Sequence, residues 1–315
     1  MLILENMHGH YDDSLERYYD YIRFSEPESD TLFFHGMGST KDESFKATKP
    51  HAKKIYFNYE QPCAWYGDKD YARVSADADR FFDKIYTACP YTARWINGIE
   101  NEDRFEVASH PFNEEEIVLE EQEKVYDVLY WGGIHHDFHK KIVETIYNYK
   151  YNFLTLGTPY WGLQDNRYGQ FITDVNIPRR EMWSLIRKTK INIIVNLLFL
   201  KPAEINNIKS LDRWEENEAF SHLESGMIPQ QKTRAIESAV NRCLMLVRRD
   251  PWNVIEHWFE PDVDFIYYDD EEDLPNKINE ILLDWDSYSE VIENAFQKVV
   301  NNYTTEKFIN RIKGS

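Results

Sequence analysis

The chain has 315 residues, 36 Lys and Arg against 55 Asp and Glu, a net charge of −19, and 15% aromatic side chains. That much acid repels phosphate backbones and excludes docking on a nucleic acid through a broad basic surface, while 42% hydrophobic residues exclude a disordered chain. Three scattered cysteines, Cys63, Cys89 and Cys243, form no CxxC pair and leave one over in any disulfide scheme, which points to a reducing, cytoplasmic setting.

Residues 1–4 are apolar but Glu5 ends the run, which is too short for a secretory segment. Short apolar runs at 1–5, 31–35, 54–59, 84–87 and 105–108 predict strands, with helices at 14–22, 70–82 and 91–97 between them. Six Glu fall within residues 114–123, and the domain boundary is expected there. A strand at 125–131 then ends in Gly132-Gly133, followed by a helix at 138–149 and a strand at 152–156. A helix at 178–188 opens with a proline in its first turn, and the apolar run 191–197 predicts a buried strand. The longer run 191–200 is half a membrane span. A helix at 231–241 and strands at 243–247 and 264–268 follow. In the tail, apolar residues recur at three and four from Leu274 to Val300, with one break near 284–287, an amphipathic helical pattern. Strand and helix taking turns predicts an α/β fold with parallel sheets. The expected domains are 1–118 and 119–285, with a terminal helix at 286–315 packing back across them.

In an open parallel sheet, ligands bind outside the carboxyl ends of the strands, so the loops just after each strand carry the information. The first such loop holds His8, His10, Asp12 and Asp13 around Gly9. Its imidazoles and carboxylates suit a general base toward an acceptor hydroxyl, or simply a turn that caps the next helix. No Cys or His spacing accompanies His8 and His10 to make a zinc site. The second loop, from His35 to Lys41, has one residue between Gly36 and Gly38 where an ATPase phosphate loop needs four between its glycines, and that reading is rejected.

The third loop, Gly132-Gly133-Ile134-His135-His136-Asp137, joins a buried strand to a helix. Glycine admits close backbone approach and the helix start attracts a diphosphate. The plainer reading is a tight turn with Asp137 as N-cap. Although His135, His136, Asp137 and His139 resemble a metal cluster, a contiguous run cannot point entirely inward. In the fourth segment Arg234 and Glu237 lie three apart on one helix face, arranged either for a phosphate and a ribose diol or for an intrahelical ion pair.

The order of these pieces adds to the reading. From Lys124 to about Ile312 the chain resembles the C-terminal domain of a GT-B glycosyltransferase. The likeness rests on Tyr126-Asp127-Val128-Leu129-Tyr130-Trp131-Gly132-Gly133, similar to the family's "yDVxfxG" strand, and on Arg234-Ala235-Ile236-Glu237-Ser238-Ala239, similar to its "RxfEaxa" helix. The segment from Glu256 through Tyr267-Tyr268-Asp269 to Asp273-Leu274 completes it. The resemblance implies two Rossmann-like domains facing across a cleft, with a nucleotide-sugar donor on the C-terminal domain and a glycan or small-molecule acceptor on the N-terminal one. It also implies chemistry without a bound metal or other cofactor, the leaving diphosphate being balanced by helix N-termini and cations.

Carried onto this sequence, Glu237 binds the donor ribose. Arg234 and the Gly132-Gly133 backbone face the diphosphate, with Lys232 beside them. His8, His10 and Asp12 are the catalytic candidates on the acceptor side. Familiar members carry a second glutamate eight residues earlier, but Pro229 stands there, and Asn241-Arg242 replaces the usual glycine before the next strand. The sugar, the nucleotide, the stereochemical outcome and the oligomeric state stay open. Two other readings are a viral-type transferase acting on a modified DNA base, which the charge opposes, and a non-catalytic two-domain ligand-binding protein. Residues 125–250, with 17 basic and 14 acidic side chains, form the one non-acidic segment and coincide with the expected donor region.

Overall fold

The computed structural model describes residues 2–3, 31–35, 53–58, 83–100, 103–120, 122–134, 136–155, 166–175, 177–211 and 213–314. The loop bearing His8, His10 and Asp12 lies outside them, as do the helices expected at 14–22 and 70–82. In chain order the regular elements begin β1 (Leu2–Ile3), β2 (Thr31–His35), β3 (Lys53–Asn58), β4 (Lys84–Thr87), α1 (Pro90–Glu100) and β5 (Phe105–Val107). They continue through β6 (Tyr126–Trp131), α2 (Asp137–Ile146), β7 (Tyr151–Thr155), β8 (Asp174–Val175), α3 (Arg179–Arg187) and β9 (Thr189–Ile194). After these come β10 (Leu197–Phe199), α4 (Pro202–Lys209), β11 (Met227–Pro229), α5 (Thr233–Val240), β12 (Leu244–Arg248) and β13 (Ile266–Tyr268). Three helices end the chain: α6 (Leu274–Leu283), α7 (Ser289–Asn302) and α8 (Thr305–Gly314).

Contacts divide these into two units. The first comprises Met1–Asn113, Leu197–Gln231 and Thr305–Ser315, the second Glu114–Asn196 and Lys232–Thr304. The sequence reading kept 119–285 together, whereas 197–231 groups with the first unit. The cause is local: β10 pairs antiparallel with β11, from Leu197↔Pro229 to Phe199↔Met227, and so closes the excursion on itself. Within the first unit, Phe220 from that excursion meets the Trp95 ring edge-on at 6.2 Å, and Trp95 Nε1 donates to Arg213 O at 3.0 Å.

The first unit holds a parallel sheet in the order β1-β2-β3-β4-β5, so each described strand lies beside its predecessor. Ile55, Phe57, Ile85 and Tyr86 are fully buried in it. Phe308 of α8 packs on the core, 5.0 Å from the Phe57 ring and 6.1 Å from Tyr86. Thr305 fixes the start of that helix by donating from both N and Oγ1 to Phe112 O, at 3.0 and 2.9 Å.

The second unit holds a six-stranded parallel sheet in the order β13-β12-β9-β6-β7-β8. Leu244, Met245, Leu246 and Val247 are consecutive and each at most 1% exposed, so β12 is covered on both faces, as a central parallel strand must be. β9 stops at Ile194, short of the strand expected to run to residue 197. Pro178 stands at the N-cap of α3 rather than inside its first turn. In the tail, α6 and α7 are separated by a 3-10 turn at Trp285–Tyr288, the break expected from the apolar spacing.

Candidate active site

Strand order locates the site. From β6 the chain builds β7 and β8 to one side, then returns to place β9, β12 and β13 on the other. The order therefore reverses between β6 and β9, and the crevice outside their carboxyl ends is where an open parallel sheet leaves room for a ligand. Trp131 and Ile194 are the last residues of those two strands.

Gly132 follows at φ 150°, its N–H donating to Leu154 O at 2.9 Å. Tyr130 OH reaches over the turn and donates to Gly133 O at 3.0 Å. Burial pushes that phenol up to about 12, with Arg234 opposing, so it remains a proton donor throughout the physiological range. Across the crevice, Lys232 N–H donates to Asn196 Oδ1 at 3.3 Å, which anchors the start of α5 just beyond β9.

In the first turn of α5, Arg234 lies against the glycine. A Cβ on Gly132 would stand 2.5 Å from Arg234 Nη2 and 2.9 Å from its Cζ. The guanidinium also sits over the Trp131 indole, 5.0 Å from the ring centroid, a cation–π contact that limits its freedom. Glu237 follows on the next turn, 2% exposed. The rotation of the helix is fixed by Ser238, whose Oγ donates to Arg234 O and accepts from Asn192 Nδ2 of β9, both at 2.6 Å. The structure thus gathers Gly132, Gly133, Lys232 and Arg234 at one sheet edge, with Glu237 farther along the same helix. Alanine at Gly132 should displace the guanidinium and strain the backbone, lowering kcat/KM for the chemistry at this crevice by about tenfold. In an Arg234→Ala background the same substitution should have little further effect, since its target is gone; steady-state kinetics on the two single variants and the double variant check this.

At His136 the structure corrects the expected cap. His136, rather than Asp137, is the N-cap of α2: its Nδ1 accepts from Phe138 N at 3.5 Å, and its own N–H donates to His139 Nδ1 at 3.1 Å. Asp137 is the first helical residue and pairs with Lys140 at 2.7 Å. His135 lies outside the described residues, as does the loop after β2.

The sequence reading missed the loop after β12. Asp250, 3% exposed, accepts from Trp252 N at 2.9 Å and from Val254 N at 3.3 Å, and so organises the turn at the same sheet edge. The Asp250-Pro251-Trp252-Asn253 string is an ordinary turn signature and was available as a signal. Beside it Arg248 pairs with Glu271 at 2.7 Å and lies over Phe138 at 5.0 Å. Desolvation raises the Asp250 carboxyl to about 6 despite the backbone N–H groups that favour its charge.

The folded protein therefore holds that proton more tightly than the unfolded chain, and the contribution of Asp250 to stability falls as pH rises from about 4 to about 6. Asp250→Asn keeps an acceptor oxygen and should flatten this fall by an amount on the order of 2–3 kcal/mol. Urea titrations of both proteins at pH 4.5 and 6.5 measure it, and an unchanged difference between the two pH values would contradict the assignment.

The glycosyl transferase-like family matches residues 136–314. No curated protein matches the chain. Among solved structures it is similar to a Staphylococcus aureus TarM mutant in complex with fondaparinux, alpha-GlcNAc-glycerol and UDP, at 8% identity and TM-score 0.60, covering 91% of this chain and 56% of that one. This chain thus spans a little over half the length of TarM. It is also similar to Anabaena HepE in complex with UDP and glucose, at 11% identity and TM-score 0.59, with 90% and 77% covered. Sucrose-phosphate synthase from Thermosynechococcus elongatus gives 9% identity and TM-score 0.60, with 90% and 72% covered. At these identities the likeness is one of fold, and that fold is GT-B.

Proposed function

Because the chain belongs to the glycosyl transferase-like family, we propose that it moves a sugar from a nucleoside-diphosphate sugar to a hydroxyl of a glycan, lipid-linked or small-molecule acceptor. The observation that supports this most is the Arg234 guanidinium held against Gly132 at the point where strand order reverses. Cleavage of the bond between the sugar and the diphosphate leaves new negative charge on the β-phosphate. Arg234, the N-terminus of α5 with Lys232, and the Gly132-Gly133 backbone are the groups assigned to balance it. Glu237 accepts hydrogen bonds from the ribose hydroxyls. His8, His10 or Asp12 takes the acceptor proton as general base.

In this reading no metal is required, because the chain's own cations and helix end do the neutralising. UDP-sugars are the first donors to test, since HepE and TarM are known bound to UDP. Thermal shift with UDP, GDP and TDP, followed by transfer assays with the stabilising donor, tests the proposal. We expect at least one nucleoside diphosphate to raise the melting temperature, and turnover to be the same with and without EDTA. Stabilisation by free sugars or amino acids alone would instead make this a binding protein. Activity lost in EDTA and restored by a divalent cation would overturn the metal-free mechanism.

A further inference from the structure

At the opposite edge of the second sheet, near the amino ends of β6, β9 and β12, lies a cavity of 570 Å³, within the range that holds small ligands. Lys124, Arg187, Asn241, Arg242, Trp285 and Ile292 are among the residues that line it. Its three cations outnumber its two carboxylates, Glu120 and Glu293, in a chain of net charge −19.

Two of the three are visibly engaged. Lys124 Nζ donates to Arg187 O at 2.8 Å and to Arg242 O at 2.7 Å, so it serves the carboxyl ends of α3 and α5. Arg242 stands in the left-handed region, φ 49°, where the sequence offers no glycine. It pairs with Glu293 at 3.0 Å and lies 3.5 Å from the Phe296 ring centroid.

Arg187 is different. Its Nη1 donates to Asn241 Oδ1 at 2.8 Å, while its Nε is enclosed with no acceptor among the described residues. Nor does any carboxylate among them pair with it. Burial and the neighbouring Arg180 push its pKa below the usual guanidinium value. Two carboxylates also line the cavity, but Glu293 is taken by Arg242 and Glu120 makes no ion pair with Arg187; a guanidinium at such a wall is the chemistry that recognises carboxylate or phosphate. Trp285 and Ile292 supply an apolar wall beside it, and Lys190 Nζ lies 5.8 Å from the Trp285 ring centroid.

We infer that this cavity binds a small organic anion, with a carboxylate or phosphate on Arg187 and an apolar or aromatic body against Trp285 and Ile292, apart from the crevice at the other sheet edge. The position gives binding a route to that crevice. Asn241, which accepts from Arg187, donates from Nδ2 to Glu237 O at 2.8 Å, and α5, of eight residues, is only about 12 Å long. An anion that draws Arg187 away from Asn241 loosens the last turn of the helix that carries Arg234 and Glu237. Binding itself does not depend on which reaction the protein catalyses.

Isothermal titration of the full chain with phenyl phosphate and with inorganic phosphate tests the inference. We expect saturable binding of one phenyl phosphate, at least tenfold tighter than inorganic phosphate. It should weaken at least tenfold in Arg187→Gln and in Trp285→Ala, survive in Arg187→Lys, and change less than twofold in Arg234→Ala. No saturable binding to the wild-type chain would overturn the site, as would binding lost in Arg234→Ala but kept in Arg187→Gln. Equal affinity for the two probes would overturn the apolar wall. Circular dichroism identifies any variant that does not fold; the wild-type and Trp285→Ala titrations then decide.

Discussion

Arg234→Ala should lower kcat/KM for sugar transfer by about 10²–10³-fold, the range found when one preorganised donor to a developing oxyanion is removed. The reason lies in how the side chain is held. Its backbone carbonyl is bonded by Ser238, its guanidinium is laid over Trp131, and the glycine beneath leaves no Cβ to lift it. Little reorganisation is then needed as the leaving group takes up charge, so the loss should fall mainly on kcat. Lysine restores charge without the planar fork and should recover only part of the rate. Initial-rate kinetics with a saturating acceptor measure both. A change confined to KM would mean that Arg234 binds the donor equally in the ground and transition states.

Glu237→Ala should cost about 10²-fold in kcat/KM, as expected for losing the proposed hydrogen bonds from two ribose hydroxyls to a buried acceptor. A matching change in the donor makes the test specific. With a 2′-deoxy or 3′-deoxy nucleotide sugar, the wild-type protein should lose part of the same factor, and Glu237→Ala should lose little more. The coupling energy from that cycle separates ribose contact from a general disturbance of α5. Equal sensitivity of both proteins to the deoxy donor would remove Glu237 from the ribose. The carboxylate is 2% exposed, so each variant's melting temperature must accompany its kinetics.

The central strands of the second sheet were legible because they are buried on both faces and read as unbroken apolar runs, whereas the exposed edge strand β8, Asp174–Val175, has no such run. Val128 to Trp131 and Leu244 to Val247 announce themselves in that way, and glycines mark where the first of them ends. The Arg234 and Glu237 helix was legible from spacing together with the strand that follows it. The excursion was not. Leu197 to Phe199 prolong the apolar run of β9 in sequence, and only their pairing with Met227 to Pro229, about thirty residues on, separates them from it. Much of what lies between is 3-10 turn, at Trp214–Glu216, Glu218–Phe220 and Leu223–Ser225, which has no helical or strand period to detect. The α2 cap was misplaced because aspartate is the commoner N-cap residue, and histidine fills that role only where a partner such as His139 completes it. Asn241-Arg242 stands where the resemblance implies a glycine. The structure shows Arg242 in the left-handed conformation there, held by Glu293 and Phe296.

The interleaving of the two units sets an order for synthesis. Phe57 and Tyr86 emerge early from a ribosome, but Phe308, which packs on both, is translated about 250 residues after Phe57. At roughly 5–20 residues per second, that patch waits on the order of 10–50 s for its cover. The second unit must also pause, since α5 and β12 follow a detour of 35 residues, Leu197–Gln231, that belongs to the first. Neither half is finished before the other is nearly complete. Shortening the chain before α8 is therefore expected to expose the earliest-made sheet rather than trim a tail, and nascent chains stalled at that length should be the ones captured by chaperones.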